Sequence, residues 1–132
     1  MTLAPSLADL GDEKFVSLTT FRRTGVGVAT PVWIGRDGDT LVVTTPTGSG
    51  KVKRLRNDNR VELRPCSRRG AVEDGAPTVT AVAEVVEGSD AMRRLDAVLK
   101  PKYGIEYRIV MMIEKIMRRG HTDRVMLRIT SD

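Results

Sequence analysis

The chain has 132 residues, the length of one ordinary domain, with 40% hydrophobic and 30% charged positions, the balance of a globular protein with its own core. No stretch nears the ~18 apolar residues of a membrane helix, and a single cysteine and a single histidine exclude an internal disulfide, a cysteine-built metal cluster and most transition-metal centres. Twenty-two basic against 17 acidic residues leave a net charge of +5, which fits either a solvated basic surface or a polyanionic partner.

Residues 1–11 lack the basic start and apolar run of a secretory signal, so the expectation is a cytoplasmic protein forming one domain over residues 1–132. Residues 2–11 read as a short helix. Residues 15–21 follow as a strand, with Phe15 on one face and Val16 and Leu18 on the other. After a turn at residues 22–25, a second strand over 26–34 places Val26, Val28, Val32 and Ile34 on one face. Asp37-Gly38 is a hairpin signal, because both residue types tolerate positive φ. Residues 40–45 form the returning strand, rich in β-branched side chains. The loop over 46–50 leads into a short helix at 51–57, for which Ser49 is the expected N-cap.

Residues 60–66 resume as a strand, 67–76 form a polar loop, and 78–86 alternate as another strand. Residues 89–100 form a helix with Met92, Leu95 and Leu99 on one stripe, flanked by Ala91 and Val98, and Pro101 marks its expected stop. Residues 105–118 form a second helix, with Ile109, Met112, Ile113 and Ile116 at helical spacing. Val125, Leu127 and Ile129 alternate in a final strand. The fold class is therefore mainly β or α+β: six antiparallel strands in a small barrel, with the last two helices placed to cover an open end.

Two segments carry the candidate chemistry. Between Thr44-Thr45 and the helix lies Pro46-Thr47-Gly48-Ser49-Gly50, and the helix then opens with Lys51, Lys53 and Arg54 in its first turn. Helix N-termini expose unpaired N–H groups and a partial positive charge, so cations gathered there are mildly repelled unless an anion binds among them. This reads as a phosphate site. It is not a P-loop, since Val52 stands where Ser or Thr is needed and Thr45 where the first glycine is needed. The second segment is Thr30-Pro31-Val32-Trp33: a proline within a strand belongs at an edge or bulge, which leaves backbone groups free for a ligand. Trp33 either packs on a ring system or fills the core.

Taken together, Thr30-Pro31-Val32-Trp33, the Asp37-Gly38 hairpin, Gly50-Lys51-Val52-Lys53-Arg54-Leu55-Arg56 and Asn59-Arg60-Val61-Glu62-Leu63 resemble, in order and spacing, the pyridoxamine phosphate oxidase-like split-barrel flavoproteins. The chain is most similar to their deazaflavin-dependent branch, which uses coenzyme F420. The likeness covers residues 15–86, with the last strand in the expected place, and Asn59 stands where many relatives have proline. The resemblance implies a six-stranded split β-barrel with short flanking helices, working as a homodimer with the cofactor at the subunit interface. It implies that Thr30, Pro31, Val32 and Trp33 border the ring, that Thr44 and Thr45 lie along the ribityl chain, and that Ser49, Gly50, Lys51, Lys53 and Arg54 hold the phosphate. The implied activity is hydride transfer between reduced deazaflavin and a conjugated or electron-poor small molecule, with FMN as the alternative cofactor and a non-catalytic carrier of F420 as the alternative role. The sequence holds no catalytic constellation of its own, as expected where a cofactor carries the chemistry.

The remaining single residues are weaker signals. Cys66, beside Arg64 and Arg68, is either an activated thiol or a buried inert one, and His121 reads as a surface residue. Asp37 and Asp39 are turn formers rather than an acid–base pair. Tyr103 and Tyr107 either pack on the barrel or reach a partner or substrate, and the methionines around 111–117 suggest an adaptable apolar surface against the barrel or a second subunit. Five aromatic residues are too few for the stacking platforms of a nucleic-acid binder.

Overall fold

The computed structural model describes residues 5–117 and 124–132. In chain order these form α1 (Pro5–Leu10), β1 (Val16–Phe21), β2 (Gly27–Val32), β3 (Ile34–Asp37), β4 (Thr40–Pro46), α2 (Gly50–Asn57), β5 (Arg60–Pro65), β6 (Val79–Val86), α3 (Ser89–Tyr103), α4 (Ile105–Met117) and β7 (Arg124–Thr130). Residues 2–4 of the expected first helix, Arg118 of the last and His121 lie outside the described residues. Among the described residues, no helix is long and apolar enough to cross a membrane.

All strands join one antiparallel sheet in the order β2-β1-β5-β6-β7-β4-β3, an α+β arrangement dominated by the sheet. The strand expected over residues 26–34 divides at Trp33, so seven strands replace six. Its first half pairs with β1 and its second half with β4, at opposite edges of the sheet. One residue separates β2 from β3, so the sheet has to curl until its two edges meet at Trp33. Covalent continuity thus brings the two edges together there, although β2 and β3 do not pair with each other and remain the sheet's edge strands.

The barrel interior follows the period-2 alternation of the strands. Val16 and Leu18 of β1, Val61 and Leu63 of β5, and Val125, Leu127 and Ile129 of β7 form one buried cluster. Leu7 and Leu10 of α1 and Val52 and Leu55 of α2 insert into the same cluster. The short helices are therefore the plugs, a role the sequence had suggested for α3 and α4. Those two instead build a second core outside the barrel wall, where Ala91, Leu95, Leu99, Tyr103 and Tyr107 cover Val42 and Met126. This explains why β4 is buried on both faces.

α3 runs through Pro101 to Tyr103 rather than ending at Lys100. Pro101 lies in the last turn, and Gly104, with φ +58°, then turns its N–H back to the Lys100 carbonyl at 2.7 Å. The extra turn is held by tertiary bonds. Lys102 Nζ donates to the carbonyls of Gly11 (2.8 Å), Glu13 (2.6 Å) and Ile34 (2.6 Å). The Tyr103 hydroxyl accepts from the Ile34 N–H at 2.9 Å and donates to the Lys14 carbonyl at 2.7 Å.

On α4 the expected apolar stripe is present but faces away from its own chain. Ile109, Met112, Ile113 and Ile116 are 50%, 62%, 53% and 68% exposed, whereas Tyr107 is buried.

Close contact between α3 and β3 depends on Gly35. A Cβ there would lie 2.4 Å from Val98 Cγ1 and 3.0 Å from Leu99 Cδ2. Gly35→Ala is expected to push α3 off the barrel and to lower unfolding free energy by about 1–3 kcal/mol, the usual cost of overpacking, measured by denaturant titration.

Candidate functional site

A cavity of about 250 Å³ opens where the barrel closes. Its wall begins at the bend, with Pro31, Val32 and Trp33, and continues along the end of β4 with Thr44, Thr45 and Pro46. Lys51 stands at the start of α2 and Arg124 at the start of β7, beside Pro46 by strand register. Phe15 and Arg68 border it from one side, Val110 and Met111 of α4 from another.

Pro31 sits in β2, an edge strand with unbroken register from Val16↔Val32 to Phe21↔Gly27, so it is accommodated by the edge without a bulge. Trp33 packs its ring on Tyr103 (centroids 4.9 Å, 23° between planes) and on Tyr107 (5.8 Å). Both readings of Trp33 therefore meet in one residue, half in the second core and half at the cavity. The two tyrosines are structural here. Burial pushes the Tyr103 hydroxyl up to about 12, and burial with a bond to Asp96 (2.6 Å) also raises that of Tyr107.

Ser49 caps α2, its hydroxyl accepting from the Val52 N–H at 3.5 Å and from the Thr45 hydroxyl at 3.1 Å. It thus orients Lys51. The ammonium of Lys51 is half-buried, and burial first, then the nearby charges of Arg54 and Arg124, hold its pKa below the ordinary lysine value. Among the described residues no carboxylate forms an ion pair with it. Arg124 is fixed by Thr44, whose hydroxyl accepts from Nε at 2.9 Å, and by an ion pair with Glu114. Arg68 lies over the Phe15 ring at 5.0 Å and bonds Glu106 at 2.6 Å.

Of the residues singled out from the sequence, Pro31, Val32, Trp33, Thr44, Thr45 and Lys51 come together around this cavity. Thr30 shares the inward face of β2 with Val32, and its buried Oγ1 has no hydrogen-bond partner. Ser49 and Gly50 lie behind Lys51 as cap and first helical residue. Lys53 and Arg54 instead border a second cavity, with Arg54 Nε donating to Thr20 Oγ1 at 2.6 Å. At about 100° per residue, Lys53 is turned roughly 200° from Lys51, so one helical turn serves two surfaces. Arg68, Arg124, Phe15, Val110 and Met111 escaped the sequence reading. They arrive from distant segments, and only the strand register and the placement of α4 bring them in. The Cys66 thiol is raised by burial and by Glu13, which selects its inert reading.

The cavity thus combines an aromatic edge, two polar strand residues and three basic side chains, of which Arg68 and Arg124 pair with carboxylates and Lys51, among the described residues, does not. The family model described as pyridoxamine 5'-phosphate oxidase matches residues 6–132. Among curated proteins, none matches this sequence. Several solved structures share the fold. A conserved hypothetical protein from Mycobacterium tuberculosis is 24% identical, with TM-score 0.66, over 98% of this chain and 82% of that one. HutZ, the heme storage protein from Vibrio cholerae, is 16% identical with TM-score 0.66, over 100% and 92%. A protein described as F420 reductase is 17% identical with TM-score 0.63, over 98% and 96%. With the family model spanning nearly every residue, the chain belongs to the pyridoxamine 5'-phosphate oxidase family.

Proposed function

We propose that this chain is an oxidoreductase that binds a deazaflavin of the coenzyme F420 type in the cavity beside Trp33, acting on a conjugated or electron-poor small molecule. The observation that carries this reading is Lys51: a half-buried ammonium with two arginines near it and, among the described residues, no carboxylate in an ion pair with it. Such a cation costs stability until an anion arrives, and ligand binding returns that cost as affinity. A cofactor phosphate meets the need. The bound deazaflavin supplies hydride transfer, chemistry that no side chain of this protein offers.

The protein's own residues bind, orient and dry the site. Lys51 and Arg124 hold the phosphate, and Glu114 and Thr44 keep the Arg124 fork in place. Pro31, Val32 and Trp33 border the ring, and Thr44 and Thr45 line the path between ring and phosphate. Phe15, Val110 and Met111 exclude water.

A cavity of about 250 Å³ is smaller than the ~300–1,000 Å³ that encloses a ligand of this size. In our reading a second copy of the chain supplies the missing wall. Support comes from α4, where Val110 and Met111 face the cavity and the exposed Ile109, Met112, Ile113 and Ile116 lie on the same helix. A charge in that stripe, Ile113→Glu, is expected to convert a dimer to a monomer in light scattering and to weaken cofactor binding together. A monomeric wild type would remove the shared-site reading.

Fluorescence titration with coenzyme F420 and with FMN tests the cofactor. Deazaflavin is expected to bind, Lys51→Ala to weaken it roughly 10- to 100-fold, as for loss of a charged hydrogen bond, and Lys53→Ala to leave it unchanged. Preference for FMN would move the protein to a flavin branch, and binding of neither would remove the site. Oxidation of the reduced cofactor by quinones, enones or nitroaromatics separates an enzyme from a carrier.

The titration should also depend on pH. Because the Lys51 pKa lies below 10.5 in the free protein, its charge is lost early as pH rises, and a bound phosphate opposes that loss. Affinity is therefore expected to fall with rising alkaline pH, while Lys51→Arg keeps it level. A level profile in the wild type would mean that Lys51 does not meet the anion.

A further inference from the structure

The second cavity, of about 230 Å³, lies where Lys53 and Arg54 of α2 meet Arg22 and Arg23 of the β1–β2 turn, with Phe21 and Asn57 beside them. Among the described residues, five of the eight other exposed arginines pair with a carboxylate, Arg56 with Glu87, Arg60 with Asp58, Arg68 with Glu106, Arg93 with Asp90 and Arg94 with Asp37, while Arg36, Arg69 and Arg108 stand singly rather than in a cluster. Here four cations converge, and among the described residues none has an ion-pair partner.

The backbone beneath the cluster is ordered and one of its side chains is anchored, while Arg22, Arg23 and Lys53 are exposed. The turn is closed by the Arg22 N–H on the Val26 carbonyl (2.9 Å) and the Gly25 N–H on the Arg22 carbonyl (2.8 Å). Arg54 is pinned to Thr20 at 2.6 Å. Four like charges gathered around one cavity repel each other, and a multivalent anion removes that repulsion for all of them at once. The cavity is small, and the one aromatic ring at its side already has Arg60 over it at 5.0 Å, which favours a small polyanion over a nucleic-acid strand that needs open stacking surfaces.

We propose that this cavity is a second anion-binding site, separate from the one at Lys51, for a small ligand with two or more adjacent phosphate or carboxylate groups. Isothermal titration at low ionic strength with tripolyphosphate, and separately with a short oligoglutamate peptide, tests it. At least one of the two is expected to bind, and the tighter one identifies the ligand's anionic group. Arg23→Ala and Lys53→Ala, both exposed, should each weaken binding roughly tenfold without lowering the unfolding temperature, while Lys51→Ala leaves it intact. No binding of either anion would overturn the proposal, as would binding indifferent to Arg23 and Lys53 or abolished by Lys51→Ala. Tighter binding of a single-stranded oligonucleotide than of either small anion would overturn it in favour of a nucleic-acid surface. Because Lys51 is untouched in the two main variants, failure here leaves the reading of the first cavity standing.

Discussion

At Ile34 the chain leaves one edge of the sheet for the other, and both backbone groups of that residue are bonded by side chains from the end of α3. Tyr103 takes the N–H and Lys102 the carbonyl, each at less than 3 Å. A bend of this kind would otherwise strand polar backbone groups against a packed core, at about 1–3 kcal/mol for each one left unmade. The same two side chains reach the carbonyls of Gly11, Glu13 and Lys14, so the segment before β1, the bend and the last turn of α3 are tied at one point. The barrel closes there because these bonds are met there.

The site inherits its position from that closure. Trp33 cannot follow either half-strand, so its ring leaves the barrel and packs on Tyr103 and Tyr107, with an edge left for the cavity. Pro31 falls on the edge that the division of the strand creates. The barrel plug α2 then sets Lys51 across from them, since burying Val52 and Leu55 fixes the rotation of the helix. The packing that plugs the barrel thus leaves Lys51 half-buried beside Arg54 and Arg124, with no ion pair among the described residues.

Features set by near neighbours are legible in the sequence, and relations between distant segments are not. Ser49 as a cap and the inward alternation of Val125, Leu127 and Ile129 depend only on near neighbours, and each is found in the structure, while the hairpin expected at Asp37-Gly38 turns one residue later, with Gly38 and Asp39 as the loop between the paired Asp37 and Thr40. The division at Trp33 was hidden because residues 26–34 keep one alternation while changing partner, and period 2 carries no partner identity. The stripe on α4 identified a helix but not the side on which its cover would come. Lys51 and Lys53 looked equivalent as first-turn cations, yet helical rotation sends them to different cavities. Arg68 and Arg124 had no local signature, since their relation to Lys51 exists only once β7 lies beside β4.

The bond between Tyr103 and Ile34 holds the bend beside which the cavity opens. Native-state hydrogen exchange of Tyr103→Phe isolates the contribution of this bond, because phenylalanine keeps the ring packed on Trp33 and removes only the hydroxyl. Protection of the Ile34 amide is expected to fall by about tenfold or more, and by more than that of amides in β5 and β6, with opening confined to the bend and the end of α3. Unchanged protection at Ile34, or an equal loss throughout the sheet, would contradict this role of the bond.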